Sequence, residues 1–352
     1  MHIGLPKEVK IAESRISLIP DDARVLCASG HEVFVQAGAG VGSGYSDEAY
    51  QQAGCNIVSD ANTLYSQSRL IVKVKEPQKE EFDLLGRDHI LFCYLHLAAE
   101  PELTAALLKN SVTAIAFETI TNEAGGLPLL QPMSEIAGTL AVHYGAINLH
   151  KNYAGKGVLL GDVTGVQAAK VTVLGYGSAG SAAVRIAGGM GAQVTVVDLA
   201  EDKLNRAFNR HPGVAAFHAE EEAAKRAVIE ADLLVGAVLV PGDRAPRVVS
   251  AEQVDKMENG SVIVDIAIDQ GGCVETSHPT SYQNPTYQVS GVTHFAVTNM
   301  PSAVSRSATQ ALSSAIISSV LRVANDDWED DPHLMKGLML RSGSIVSDVL
   351  SA

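Results

Sequence analysis

The sequence predicts an α/β protein of two domains, each built on a parallel sheet flanked by helices. Three observations carry that reading. Short β-branched runs alternate with helical stretches along most of the chain, the pattern of parallel strands joined by covering helices. A turn-rich stretch at 122–132 interrupts the alternation, which then resumes. The length of 352 residues also exceeds what one ordinary core encloses.

The elements follow in order. Residues 32–36, 70–74, 89–94 and 112–117 read as strands from their β-branched and aromatic content. Between them lie helices at 20–29, closed by Gly30, and at 101–109, opened by Pro101 in the first turn. After the turn-rich boundary a long helical pattern at 133–153 bridges the two halves. Strands are then expected at 171–174, 193–197, 233–236 and 261–264, with a helix running up to Met190 after the first of them. A long Ala/Ser-rich helix from Pro301 to Ala324 is expected to return the chain to the first domain. That domain is therefore discontinuous, residues 1–128 plus 305–352, with 129–304 forming the second.

Composition narrows the classes of function. Hydrophobic residues make up 46% and charged residues 19%, the balance of a folded globular chain. The net charge of −14 and the lack of any basic stripe argue against a nucleic-acid partner, because phosphate backbones are held mainly by clustered Lys and Arg. The opening residues lack a charged-then-apolar leader, so no secretory signal is expected. No apolar run approaches the roughly 18–20 residues that span a bilayer. The stretch around Ile316 is broken by Ser313, Ser314, Ser318 and Ser319 and reads as a packed helix. Cys27, Cys55, Cys93 and Cys273 are scattered without metal or redox spacing, as expected of buried, reduced thiols in a cytoplasm. Glu118 could join a metal site with an acid near the C-terminus, but one carboxylate is a weak signal and no metal is assigned.

Gly175-Tyr176-Gly177-Ser178-Ala179-Gly180 is a G-x-G-x-x-G placed directly between an apolar strand and an Ala-rich helix. The first glycine allows the tight turn, the second lets backbone approach a pyrophosphate, and the third lets helix and strand pack closely. The pyrophosphate sits at the helix N-terminus, where open N–H groups and the helix dipole favour an anion. Asp198 closes the next strand, where a carboxylate accepts hydrogen bonds from the adenosine ribose hydroxyls and repels the extra phosphate of NADP. Strand, glycines, helix, strand and acid together predict a Rossmann-like unit that binds NAD. A second cluster at 38–44 lacks the Gly-Lys-Ser/Thr ending of a phosphate loop and reads as a flexible surface turn.

Four polar residues stand out as candidates for chemistry. Lys75, His96 and Asp269 each follow an apolar strand, and active sites of open α/β sheets collect at the carboxyl ends of strands. Arg15 lies in a polar loop after Lys7-Glu8-Val9-Lys10. Position alone leaves ordinary alternatives open: solvated charges for Arg15 and Lys75, a core-edge histidine for His96, a turn cap for Asp269.

Ordered blocks along the whole chain add a family resemblance. They are Met1-His2-Ile3-Gly4-Leu5-Pro6-Lys7-Glu8 with Arg15, Lys73-Val74-Lys75-Glu76-Pro77, Tyr94-Leu95-His96-Leu97-Ala98 and Pro132-Met133-Ser134-Glu135-Ile136-Ala137-Gly138. Gly236-Ala237-Val238-Leu239-Val240-Pro241-Gly242, Val264-Asp265-Ile266-Ala267-Ile268-Asp269-Gln270-Gly271-Gly272 and Thr298-Asn299-Met300-Pro301 complete the set. In this it resembles the alanine dehydrogenases of the alanine dehydrogenase/pyridine nucleotide transhydrogenase family.

The resemblance implies reversible oxidative deamination of L-alanine to pyruvate and ammonia, with NAD as hydride acceptor. It implies that Arg15 and Lys75 bind substrate, that His96 is the general acid/base, and that Asp269 assists the proton transfers. By the same resemblance Ser134, Gly175, Gly177, Ser178, Ala179, Gly180, Asp198, Lys203, Val238 and Leu239 bind the cofactor. So do Ala267, Ile268 and Asp269, with Val297, Thr298, Asn299 and Met300 toward the nicotinamide. A hexamer whose two domains close a cleft over the substrate is the family's usual form. The chain departs from the family in carrying Ala219 and Glu220 where serines are frequent, and His278 where an arginine is frequent. Both changes fall at expected cofactor contacts. Ser305-Arg306-Ser307 also replaces a Pro-Arg/Lys-Thr-Ser pattern, with no derivable consequence. Three alternatives stay open: the NAD(H)-binding component of a proton-translocating transhydrogenase, a non-catalytic NAD-sensing module, and a saccharopine-forming dehydrogenase.

Overall fold

The computed structural model describes residues 1–240 and 244–351. Pro241 and Gly242, which end one of the blocks above, lie outside the described residues. The chain forms two compact units, Met1–Met133 with Ser302–Ala352, and Ser134–Pro301.

In the first unit the strands are β1 (His2–Leu5), β2 (Glu32–Gln36), β3 (Asn56–Val58), β4 (Leu70–Val72), β5 (Ile90–Cys93) and β6 (Thr113–Ala116). The second unit contributes β7 (Lys170–Leu174), β8 (Gln193–Asp198), β9 (Ala215–His218), β10 (Leu233–Gly236), β11 (Val262–Asp265), β12 (Thr286–Val289) and β13 (Val292–Phe295). Two last strands, β14 (Leu338–Arg341) and β15 (Ser344–Ile345), belong to the first unit.

The sheet of the first unit has the order β15-β14-β6-β5-β4-β1-β2-β3, and that of the second β12-β13-β11-β10-β7-β8-β9. Each winds outward in both directions from its first strand, so the order reverses between β1 and β4 and between β7 and β10. In open α/β sheets ligands bind outside the carboxyl ends of strands at such a reversal.

The expected sheets were parallel; the observed ones carry antiparallel edges. β14 pairs antiparallel with β6 and β15, and β12 antiparallel with β13. Both hairpins turn through a two-residue Ser-Gly loop with positive φ at each position: Ser290 (49°) and Gly291 (75°), Ser342 (48°) and Gly343 (80°). Such loops match the strand twist and allow an immediate reversal.

Two helices differ from expectation. The pattern at 133–153 is a helix over Gln131–Asn148 followed by a separate 3-10 turn, Lys151–Tyr153. The break falls at His150, whose backbone is extended (φ −73°, ψ 147°), and the left-handed Ala154 (φ 63°) ends the 3-10 turn. The C-terminal helix spans Ser305–Ala324, after a 3-10 turn over Met300–Val304. Its buried face is Ala308, Thr309, Leu312, Ser313, Ile316, Val320 and Val323, spaced as one side of a helix. Among the described residues no helix is long and apolar enough to cross a membrane.

The polar members of that buried face have a structural use. Thr309 Oγ1 accepts from Ile16 N at 3.1 Å and Ser313 Oγ from Ile19 N at 2.9 Å. The loop that carries Arg15 is thereby tied to the helix, and these two N–H groups are satisfied. The glycine cluster at 38–44 serves the same loop and is no free surface turn. It forms a 3-10 turn, Val41–Ser43, whose buried Ser43 hydroxyl reaches Ser14 O at 2.9 Å and Thr309 Oγ1 at 2.8 Å. Cys55, Cys93 and Cys273 are buried, whereas Cys27 is half-buried; all four are free thiols.

Candidate functional site

In the first unit, the loops leaving β1, β4, β5 and β6 emerge at one edge of the sheet. The strands are in register there, Gly4 beside Ile71, Ile71 beside Leu91, and Cys93 beside Ala116. Arg15, Lys75 and His96 all lie on these loops. With β1 recognised as a strand, Arg15 joins the other candidates in following a carboxyl end.

Arg15 is buried and its guanidinium is held by Glu13 on two sides of one fork, Nε to Oε1 at 2.8 Å and Nη2 to Oε2 at 2.5 Å. Its Nη1 donates to Met133 Sδ at 3.1 Å. Burial alone would lower its proton affinity, but the hydrogen bonds and charge of Glu13 outweigh that and hold it above its ordinary value. Tyr94 packs nearby with its hydroxyl on Leu129 O at 2.6 Å, and burial pushes that phenol up.

Two lysines two positions apart have different surroundings. Lys73 is fully buried between carboxylates, 2.7 Å from Glu81 Oε1 and 3.3 Å from Glu8 Oε2, and Tyr65 donates to Glu81 at 2.8 Å. It is a core ion cluster. Lys75 is 7% exposed, yet among the described residues no carboxylate lies within ion-pair distance of its ammonium. A nearly buried cation without a fixed counter-ion suits an anionic or carbonyl-bearing ligand. Its charge and that of Lys10 hold Glu76 below the usual carboxylate range in spite of burial.

Glu8 connects these groups. Its Oε1 accepts from Val74 N at 2.7 Å, beside Lys75, and burial raises its carboxyl to about 7 against the pull of Lys73.

His96 has a left-handed backbone, φ 48° and ψ 37°, and a third of its side chain is exposed. Its ring stacks on Tyr94 at 6.3 Å and 13°. The Glu118 carboxylate accepts from His96 N at 2.7 Å and from Leu95 N at 3.2 Å.

In the second unit the glycine turn follows β7. Gly175 has φ 88°, which L side chains rarely adopt, and a Cβ there would stand 2.7 Å from Ala237 O. A Cβ on Gly180 would collide with Gly175 O, so strand and helix meet only through glycine. Gly177 faces open space, and the helix Ser178–Gly189 begins on it without a side-chain cap. These first-turn N–H groups and the cleared backbone fit a pyrophosphate.

Asp198, at the end of β8, bonds both flanking loops: Oδ2 accepts from Tyr176 N at 2.7 Å and Oδ1 from Ala200 N at 3.0 Å. Lys203 Nζ lies 3.6 Å from Oδ2. Val238 and Leu239 leave β10, with Leu239 exposed. Ala267, Ile268 and Asp269 form a 3-10 turn after β11, and Val297–Met300 follows β13. Asp269 Oδ1 accepts from the left-handed Asn299 at 3.1 Å, which ties those two loops together. Ser134 lies in the first turn of the helix Gln131–Asn148. His278, exposed, stacks on Tyr287 at 3.6 Å and donates its N–H to that hydroxyl at 2.8 Å.

The supporting roles of four residues are not evident from the sequence. Glu13 and Glu118 hold Arg15 and the His96 backbone. Buried Asp265 accepts from Ala267, Cys273 and Val274 and so shapes the turn that carries Asp269; burial raises its carboxyl, with those donors opposing. Gly138 lies so close to Ala179 O that any Cβ would collide, which brings two helix backbones together beside the glycine turn. Gly138 and Asp265 carry a signal in that each lies within a conspicuous block, and Glu118 stands out only as a lone carboxylate.

Two doubly wound α/β units, one with a dinucleotide cradle, define a two-domain Rossmann-like dehydrogenase fold. Residues 4–137 match the model of the alanine dehydrogenase/PNT N-terminal domain and residues 141–348 that of the C-terminal domain. The chain belongs to the alanine dehydrogenase/PNT family. It is 47% identical to an alanine dehydrogenase of Halomonas elongata, over 98% of this chain and 94% of that one. The alanine dehydrogenase of Bacillus subtilis is 44% identical, over 100% of this chain and 94% of that one. Among solved structures, an L-alanine dehydrogenase superposes with a TM-score of 0.94 at 46% identity, covering 100% of this chain and 98% of that one. A transhydrogenase from Sinorhizobium meliloti superposes with a TM-score of 0.84 at 24% identity, covering 99% of each chain, a likeness of fold alone.

Proposed function

We propose that this chain catalyses the reversible NAD-dependent oxidative deamination of L-alanine to pyruvate and ammonia. The observation that carries the proposal is the likeness to alanine dehydrogenases over essentially the whole chain, 47% identical to the Halomonas elongata enzyme. The likeness to a transhydrogenase, at 24% identity, concerns fold and does not favour the hydride-exchange alternative.

Residues 1–128 with 305–352 act as the substrate domain and 129–304 as the NAD-binding domain. Arg15 binds the substrate carboxylate, the geometry for which a guanidinium fork is suited. Lys75 contacts the same substrate and stabilises negative charge on the carbonyl oxygen of pyruvate. His96 moves the proton at the substrate nitrogen and oxygen, since an imidazole can both accept and donate a proton. Asp269 assists those transfers when water attacks the iminium carbon.

Gly175, Gly177, Ser178, Ala179 and Gly180 would hold the pyrophosphate, Asp198 and Lys203 the adenosine ribose, and Ser134, Val238, Leu239, Ala267, Ile268 and Val297–Met300 the remainder. NAD, when bound, supplies the hydride acceptor. Assembly as a hexamer rests on the family resemblance, and a cytoplasmic location on the scattered, unpaired thiols; both belong to the same reading.

The test is to purify the protein and follow NADH absorbance with L-alanine and NAD, beside NADP, lysine and other amino acids. L-Alanine with NAD is expected to be the preferred pair. His96→Ala is expected to lose about 100-fold or more in turnover while still binding NADH. Binding of NADH without oxidation of any amino acid would overturn the reading in favour of a hydride-exchange component or a sensor.

A further inference from the structure

Glu118 lies in the 3-10 turn Phe117–Thr119, directly after β6, and His96 lies three residues beyond β5. The two strands are paired, with Cys93 opposite Ala116, so their exits run side by side. The carboxylate bridges them. Oε1 accepts from His96 N at 2.7 Å, and both oxygens lie 3.2 Å from Leu95 N. His96 Nδ1 stands 4.0 Å from Oε1, outside hydrogen-bond distance, so the carboxylate holds the backbone and not the ring.

That hold has a conformational consequence. His96 takes φ 48° and ψ 37°, a left-handed conformation uncommon for residues other than glycine. Such a conformation persists only where the surroundings over-determine it. Converging N–H groups of successive residues, closed by one anion, are a sufficient determinant. The backbone at His96 in turn sets where its imidazole points, together with the stacking on Tyr94.

We propose that Glu118 is a positioning residue: by binding the N–H groups of Leu95 and His96 it fixes the left-handed turn that aims the His96 imidazole at the substrate. This rests on the reading of His96 as the acid/base group.

The test compares Glu118→Ala, Glu118→Gln, His96→Ala and the Glu118→Ala/His96→Ala double variant in the full chain. Measurements are kcat and KM for L-alanine, NADH affinity by fluorescence, and hydrogen exchange of the peptide containing residues 94–97. Glu118→Ala is expected to lose about 100-fold in kcat, the scale of a misaimed catalytic group, with KM and NADH affinity within about threefold of wild type. Glu118→Gln keeps an oxygen for His96 N–H and is expected to recover most of the kcat. The double variant is expected to be no slower than His96→Ala, because residues acting as one unit are not additive. Exchange at 94–97 quickens in Glu118→Ala and stays near wild type in Glu118→Gln.

Wild-type kcat in Glu118→Ala, or multiplicative losses in the double variant, would overturn the proposal. So would a Glu118→Gln variant as slow as Glu118→Ala. If wild type oxidises no alanine, the functional reading fails by itself. The exchange measurement then decides whether the anchor exists, and unchanged exchange in Glu118→Ala rejects it.

Discussion

Glu13 grips Arg15 along one edge of its guanidinium, with Nε on Oε1 at 2.8 Å and Nη2 on Oε2 at 2.5 Å, both side chains buried. The same Oε1 accepts from the backbone N–H groups of Ser14 and Arg15 at 3.1 and 3.0 Å. One carboxylate therefore sets both the loop and the plane of the guanidinium. In the proposed reading, a substrate carboxylate would meet a guanidinium already oriented, so little entropy would be lost in aligning it.

Removing one partner of a buried ion pair costs about 3–5 kcal/mol, because a charge is left in the interior. Glu13→Ala is therefore expected to lower stability by that order in urea unfolding. Glu13→Gln, which keeps one acceptor, is expected to lose less stability and to raise KM for L-alanine about tenfold or more, with NADH affinity unchanged. An unchanged KM in folded Glu13→Gln would show that the clamp does not orient Arg15 for substrate.

Glu8 makes a prediction about pH. Burial, opposed by Lys73, raises its carboxyl from the ordinary 4.5 to about 7. Between those values the folded chain keeps a proton that the unfolded chain has lost. The stabilising contribution is then complete below the unfolded value and is lost as pH rises through the folded one, up to about 3 kcal/mol in all. Glu8→Gln is neutral throughout and lacks this slope. Its urea midpoint should gain on wild type between about pH 5 and about pH 8, and parallel pH dependences would reject the shift.

Asp198, proposed above to select the cofactor, also closes two loops. Its oxygens accept from Tyr176 N and Ala200 N, so Asp198→Asn turns one acceptor into a donor that faces an N–H. Loss of the negative charge should raise the ratio of kcat/KM for NADP over NAD about tenfold. The misplaced donor should also lower kcat/KM with NAD, so the variant improves in selectivity for NADP without gaining a good activity. A ratio unchanged from wild type would remove Asp198 from cofactor discrimination.

Much of the architecture was legible from residues close together in sequence. The runs at 32–36, 193–197 and 233–236 become β2, β8 and β10, because β-branched composition and flanking turns are local properties. Gly175, Gly177 and Gly180 were recognisable because a tight turn needs particular residues at fixed short offsets, and the structure accordingly has a helix starting at Ser178. The strand β1 gives little local signal. It is four residues long, contains Gly4 and follows no turn signal, yet it is the central strand from which its sheet winds. The Ser290-Gly291 and Ser342-Gly343 turns are local signals of the hairpins that make the antiparallel edges.

By itself the sequence determined the alternation of strands and helices, the glycine turn with Asp198 one strand later, and the polar residues that leave strand ends. Only the tertiary structure decided which of those polar residues are held and by what. Glu118 reaches His96 N across 22 positions, and Thr309 and Ser313 serve Ile16 and Ile19 across 293 and 294. It also separated Lys73, locked between Glu8 and Glu81, from Lys75, which has no such partner among the described residues. Periodicity records which side of an element is buried. The partner of a buried charge is set by the strand order of the folded sheet, and no local pattern encodes that.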